Sequence, residues 1–216
     1  MNHAGSTSLL RRELFPVGFA GEVMLLVLET WLVFSLRHDV RHENRITAVF
    51  RAALIEAYVR SGRMWFIALE DPITDPDFGT GLGRNDLRFY PPNHRGQTMF
   101  FTLECKRLRV ITASGFNDLT TEYVDHGIMR FVNGQYSAGL PCGGMIGYVM
   151  DNEPLKALDS IISEIKLKAV SLRLRAKDGI RTPSTLLSGC ETSADTFHQR
   201  IDGPFELHHL LVGVST

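Results

Sequence analysis

Asp86, Glu104 and Lys106 are the residues whose types and spacing suit chemistry in this chain. Glu104 and Lys106 flank Cys105 inside residues 98–110, TMFFTLECKRLRV, whose aromatic and β-branched first half predicts a strand. Side chains in a strand alternate faces, so Glu104 and Lys106 point one way and Cys105 the other. Asp86 opens a shorter strand candidate at residues 86–90. A hairpin through 91–97 would bring it toward Glu104, with the register open because a one-residue slip inverts the faces. Two carboxylates of this kind suit Mg2+, with Mn2+ as a substitute, since a hard cation takes oxygen ligands and keeps several waters. Such an ion bridges a substrate phosphate, lowers the pKa of a bound water and stabilises a leaving oxygen. Lys106 would orient or help deprotonate that water and offset charge on the phosphate. The backbone carbonyl of Cys105 is a further candidate ligand. E-x-K on a surface strand is also common, and a solvated charge pair is the competing account of Glu104-Cys105-Lys106 taken alone.

The surrounding sequence must position these groups. Residues 19–36 predict a strongly apolar helix. Residues 43–61 predict a second, with Ile46, Val49, Phe50, Ala53, Leu54, Ala57 and Tyr58 at spacings of three and four and Gly62 as its stop. Residues 64–69 predict a strand, 71–85 a Pro-, Gly- and Asp-rich loop, and 117–133 a helix with Leu119, Tyr123, Ile128 and Phe131 roughly along one face. A loop over 139–144, a buried strand over 145–150 and a helix over 154–169 opened by Pro154 follow. After a loop over 177–193, residues 196–201 and 205–214 predict a closing β-hairpin around Asp202-Gly203. The expected fold is α/β, a central mixed β-sheet flanked by helices, with an extra N-terminal apolar helix and a C-terminal β-hairpin. The expected organisation is a single domain, with an N-terminal helical extension over 1–42, a core over 43–150 and a C-terminal helix and hairpin over 151–216.

Composition sets limits. The 216 residues are 44% hydrophobic and 22% charged, as in an ordinary globular domain, and carry a net charge of −1, which gives no overall basic signature of nucleic-acid binding. Cys105, Cys142 and Cys190 are far apart and form no CxxC pair, which argues against a cysteine zinc site and suits a reducing cytoplasm. Residues 23–36 are too short for a membrane span and carry Glu29, so a buried helix and a cytoplasmic protein without membrane contact are expected. Thr80-Gly81-Leu82-Gly83 is not a phosphate-binding Walker loop, and Asp71, Asp75 and Asp77 fail the EF-hand spacing. His208 and His209 should face opposite sides of a strand and not share a metal. His38 and His42 precede Glu43 and have no role that the sequence decides.

The pattern Asn85-Asp86-Leu87-Arg88-Phe89, followed by Leu103-Glu104-Cys105-Lys106 and a helix, resembles the PD-(D/E)xK nuclease superfamily, the restriction-endonuclease-like fold. Asn85 stands where the family's motif has proline. The resemblance covers roughly residues 43–150. It implies Asp86 and Glu104 as metal ligands and Lys106 as the catalytic lysine, with Glu43, in HENRIT, at the place of the acidic residue many members carry on the preceding helix. It implies a metal-dependent endonuclease hydrolysing DNA phosphodiester bonds, in restriction or phage defence. Lys106, Arg107 and Arg109 surround the expected site and Arg84 and Arg88 flank Asp86, while Arg130 lies on the following helix. Arg84, Arg88, Arg107 and Arg130 are therefore candidates to contact nucleic acid, against the competing readings of a polar sheet edge and, for Arg130, a surface salt bridge. Two other functions stay open. One is a non-catalytic nuclease-fold interaction subunit that uses the apolar helix 19–36 to meet a second copy or a partner subunit. The other is a hydrolase of a small phosphorylated molecule.

Overall fold

The apolar run after Gly18 forms helix α1, Phe19–Val33. It buries Phe19, Ala20, Val23, Met24, Leu26, Val27 and Thr30 and leaves Leu32 and Val33 exposed. The chain itself thus covers one side of the helix for which the sequence suggested a partner. Among the described residues no helix is long and apolar enough to cross a membrane. Helix α2, Glu43–Ser61, buries Ile46, Phe50 and Leu54 of the expected face but leaves Val49 exposed, and it ends at Gly62, whose φ of 67° lies in the left-handed region that glycine enters at little cost. The structure is a computed structural model that describes residues 11–34, 36, 40–63, 65–74, 81–92, 98–113 and 115–214, without the side chains of 69–74 and 81–85. His38, Asp75 and Asp77 lie outside the described residues, as do the side chain of Asp71 and most of the expected turn over 91–97.

Strand β1, Phe66–Thr74, and strand β2, Gly81–Tyr90, extend well into the segment that composition marks as a loop. Pro72 pairs with Arg84 there. A proline is tolerated because β1 is the edge strand of the sheet. Strand β3, Phe101–Leu108, pairs antiparallel with β2, so the expected hairpin forms. A small ribbon of β4, Val110–Thr112, and β5, Gly115–Asn117, comes next.

Helix α3 covers residues 120–132 and holds a π-helical turn, Val124–Ile128, between two α-helical turns, Thr120–Tyr123 and Met129–Val132. The five-residue step from Tyr123 to Ile128 is off the α-helical period. The π turn absorbs it, so that Tyr123, Ile128 and Phe131 are all fully buried. Gly127 sits in that turn, where a Cβ would overlap Met145 Cε and meet Lys106 Cγ at 3.8 Å. The glycine lets α3 lie close against the lysine's strand.

Strand β6, Cys142–Val149, starts three residues earlier than expected and is buried throughout. Gly143 and Gly144, which look like loop residues, belong to it because Phe131 presses on the first and Phe101 and Leu103 on the second. Helix α4, Pro154–Leu167, has its proline at the first turn. The closing strands are β7, Ile180–Arg181, β8, Ser193–Arg200, and β9, Gly203–Gly213. Arg200 pairs with Gly203, so the hairpin turns on Ile201-Asp202, one residue before the expected pair.

The fold is α/β with a mixed central sheet in the order β1-β2-β3-β6-β9-β8-β7, in which β3, β6 and β9 run parallel and the flanking pairs antiparallel. On one face α1 and α2 pack Val23, Met24, Ile46, Phe50 and Leu54 against Leu87, Phe89, Leu103, Cys105 and Ile146. On the other face α3 and α4 pack Tyr123, Ile128, Phe131 and Ile161 against Leu108, Met145, Val149 and Leu211. Burying each such side chain stabilises the fold by roughly 1.5–3 kcal/mol. Alternation along β3 therefore places Leu103 and Cys105 toward α1 and α2, and Glu104 and Lys106 toward α3.

Candidate metal centre

The pairing of β2 with β3 runs through Phe89–Phe101, Arg88–Thr102 and Leu87–Leu103, and then stops. The register left open by the sequence is thereby fixed: Asp86 is the next residue on β2 and Glu104 the next on β3, on one face. Beyond Leu103 the two strands no longer bond, and side-chain oxygens take over the unpaired edge of β3. The Cys105 amide donates to Asp86 Oδ2 (2.7 Å) and the Arg107 amide to Glu43 Oε2 (2.8 Å). Glu43 reaches this edge because it opens α2, where an acidic residue also suits the positive end of the helix.

Lys106 Nζ lies at the centre of the group. It donates to Glu104 Oε1 (2.7 Å), to the Cys105 carbonyl (3.1 Å) and to Glu43 Oε1 (3.4 Å). Arg130 Nη1 reaches the same Glu104 oxygen (3.2 Å) from α3 and also donates to Tyr136 Oη (2.6 Å). The structure thus brings together Asp86, Glu104, Lys106, Glu43, the Cys105 carbonyl and Arg130.

Glu104 is 1% exposed. Burial, and then the nearby Asp86 carboxylate, push its pKa up to about 7 against the pull of Lys106 and Arg130. Burial also raises Asp86, although Lys106 and the Cys105 amide oppose it. Burial works against the charge of Lys106, but Glu104, Glu43 and Asp86 together lift its pKa above the usual range, so the side chain stays an ammonium. Glu104 Oε2 is buried with no hydrogen-bond donor among the described residues. An acceptor of this kind needs a proton or a cation beside it. The donor set is all oxygen, which fits a hard divalent ion such as Mg2+ or Mn2+.

The rest of the expected rim divides. Arg88 shares the face of Asp86; its guanidinium lies 4.1 Å from the centre of the Phe100 ring and donates to Tyr90 Oη. Arg107 takes the Cys105 face, away from Glu104, and donates to the Arg41 carbonyl (2.9 Å). Arg109 is bound to Asp151 (2.7 Å), beyond the end of β3. The side chain of Arg84 lies outside the described residues. Tyr136 was not legible in the sequence, because it belongs to the connection after α3 and reaches the site by accepting from Arg130. The i to i+6 spacing of arginine and tyrosine carries no recognisable signal.

A second polar cluster lies among β8 and β9. Asp195, Glu206 and His208 bring one potential ligand atom each within 4.8 Å of one another. Asp195 is already saturated: Oδ1 accepts from Ser184 Oγ (2.5 Å) and bonds His208 Nδ1 (2.8 Å), and Oδ2 accepts from the Thr185 amide and hydroxyl. Burial alone would raise this carboxyl, yet its bonds with His208, Ser184 and Thr185 hold it well below the usual range. The cluster braces the connection before β8 and offers a metal no vacant oxygen on Asp195. His209 faces the other way, as alternation requires, and bonds Tyr123 Oη (3.0 Å). Comparison of the chain with family models, with curated proteins and with solved structures returned no match.

Proposed function

We infer that the chain is a Mg2+-dependent phosphodiester hydrolase acting on DNA, with a restriction-endonuclease-like core of the PD-(D/E)xK kind. The observation that carries this reading is the buried Glu104 carboxyl facing Asp86, with one oxygen held by cations and the other without a donor among the described residues. The element order from α2 through β1, β2, β3 and α3 to β6, with β3 and β6 parallel, supports the same core.

Asp86 and Glu104 hold the metal, with the Cys105 carbonyl as a third oxygen and Glu43 supporting its waters. The bound ion supplies Lewis acidity, a more acidic water and charge for the leaving oxygen. Lys106, kept charged by its carboxylate neighbours, orients the attacking water through Nζ and offsets charge on the phosphate; as an ammonium it has no lone pair with which to take the proton. Asp86 and Glu43 keep β2 and α2 against the edge of β3, so the ligand oxygens are preorganised. Arg88 and Arg130 flank this arrangement and favour a polyanion.

Incubation of the purified chain with duplex DNA, RNA and nucleotides in Mg2+ or Mn2+ tests the reading. DNA should be cut, and Glu104→Ala and Lys106→Ala should each lower the rate by about a hundredfold or more. Undiminished cutting by both variants refutes the site, and turnover of nucleotides alone refutes the polymer.

A second reading, a non-catalytic interaction subunit, rests on a different surface. A groove of about 540 Å³ beside the end of α1 is lined by Trp31, Leu32, Phe34, Cys190, Leu211 and Val214. Concentration-dependent mass by light scattering, with no metal bound by calorimetry, would favour it.

A further inference from the structure

Arg130 and Tyr136 stand beside the ligand oxygens and take no part in holding the metal. Arg130 Nη1 is anchored at both ends, on Glu104 Oε1 and on Tyr136 Oη. The side chain is nevertheless 36% exposed, and Nε and Nη2 bond to none of the described residues. A guanidinium carries five donors in a rigid plane and matches phosphate oxygens in pairs. One nitrogen is therefore spent on anchoring while the other edge meets solvent.

The anchor itself is rigid. Tyr136 is 1% exposed, and its ring packs edge-on against Phe131 at 5.3 Å. Its backbone amide bonds the Arg130 carbonyl (3.1 Å), closing the connection after α3 onto the same arginine. The hydroxyl has a fixed position and Arg130 takes its geometry from it. The carboxyls of Asp86, Glu104 and Glu43 offset the charges of Lys106 and Arg130, so a bound divalent cation would make the site attractive to an anion.

We propose that Tyr136 is a positioning residue that presets Arg130 as an anion clamp, the open edge of the guanidinium taking a phosphate of the polynucleotide substrate. The choice of phosphate rests on the function inferred above. The clamp acts on binding, and Tyr136 acts only through Arg130.

The test is a double-mutant cycle on duplex binding. Fluorescence anisotropy of a short labelled DNA duplex is measured in Ca2+, used in place of Mg2+ to limit turnover, for the wild type, Tyr136→Phe, Arg130→Gln and the double variant. Tyr136→Phe should weaken binding by about fivefold and Arg130→Gln by about tenfold, the scale of losing charged hydrogen bonds at a half-exposed site. The double variant should bind no more weakly than Arg130→Gln alone, because the hydroxyl has nothing left to position. Mn2+ affinity without DNA, read by calorimetry, should stay within about twofold of wild type in Tyr136→Phe, which a general loosening of the site would not allow. Should Tyr136→Phe fold poorly, Arg130→Lys serves in its place: it keeps the charge without the planar fork and should still lose about fivefold. Wild-type duplex binding retained in Tyr136→Phe, or losses that multiply in the double variant, overturn the clamp while leaving the metal site standing. A wild type that binds Mn2+ but not the duplex overturns both the clamp and DNA as substrate.

Discussion

Glu104→Gln tests the electrostatics of the site without any substrate. In the folded chain the Glu104 carboxyl titrates near 7, against 4.5 for the unperturbed group. A folded-state pKa raised in this way means that the folded protein holds a proton which the unfolded chain has released. The stability this proton represents is fully present below 4.5 and is lost as pH rises through about 7. Roughly two and a half pH units correspond to about 3 kcal/mol. Glutamine has nearly the shape of the protonated acid and keeps an oxygen for Lys106 and Arg130. In chelator, the urea stability of wild type and Glu104→Gln should coincide only below about pH 4 and diverge through mild acid. The variant should then pull ahead by about 3 kcal/mol at roughly pH 8. The difference between the two curves is the relevant quantity, because buried histidines shape each curve alone. Saturating Mg2+ should close the gap, since it binds the ionised wild-type carboxyl and stabilises the folded state by mass action. A difference that stays flat with pH, or a wild type that is the more stable at high pH in chelator, would refute the argument that burial and Asp86 destabilise the charged form.

Other outcomes follow from the same structure. His198 and His209 are buried and neutral, with burial the main force lowering their pKa to about 4 and about 3. Their contribution is present above the normal histidine range and is lost as pH falls from about 6.5, so the urea midpoint of Glu104→Gln, which lacks the opposing carboxyl, should drop steadily through mild acid. Tyr123→Phe leaves His209 Nδ1 without its partner and should cost about 1–2 kcal/mol by thermal melting. Gly127→Ala places a methyl group against the flexible end of Met145, which can move aside, and only in ordinary contact with Lys106, so it should change thermal stability by no more than about 1 kcal/mol and leave Mn2+ binding by calorimetry near wild type.

What the sequence made legible depended on how local the cause was. The period of α2 and the glycine that ends it are local, and Ile46, Phe50, Leu54 and Gly62 stand where expected, while Val49 turns to solvent. So does the alternation that sets Glu104 and Lys106 on one face, and the opposed faces of His208 and His209. The pairing of Asp86 with Glu104 was not legible, because it rests on where the β2–β3 ladder stops, a property of two strands. Pro72, Gly81 and Gly83 looked like loop residues, yet the edge strand β1 tolerates a proline and its Ile73 and Thr74 pair with Gly83 and Gly81 of β2. Gly143 and Gly144 misled for another reason: they belong to a strand because bulky rings on both faces leave room for nothing larger. Arg107 looked like a rim residue from its neighbours, but alternation turns it toward Arg41. Tyr136 meets the site through its hydroxyl, which accepts from Arg130, and no spacing rule announces such a contact.

The carboxylates that cap the β3 edge have a second consequence. Asp86 and Glu43 each satisfy a main-chain amide that no neighbouring strand reaches. Removing either side chain would bare a donor on a strand already lacking its partner there, and a bared edge of this kind invites pairing with another chain. Alanine at these positions would therefore confuse loss of chemistry with loss of solubility, whereas Asp86→Asn and Glu43→Gln retain an oxygen for the amide. The same oxygens keep the sheet closed to strangers and stand ready for an ion, so at this edge solubility and chemistry draw on one set of atoms.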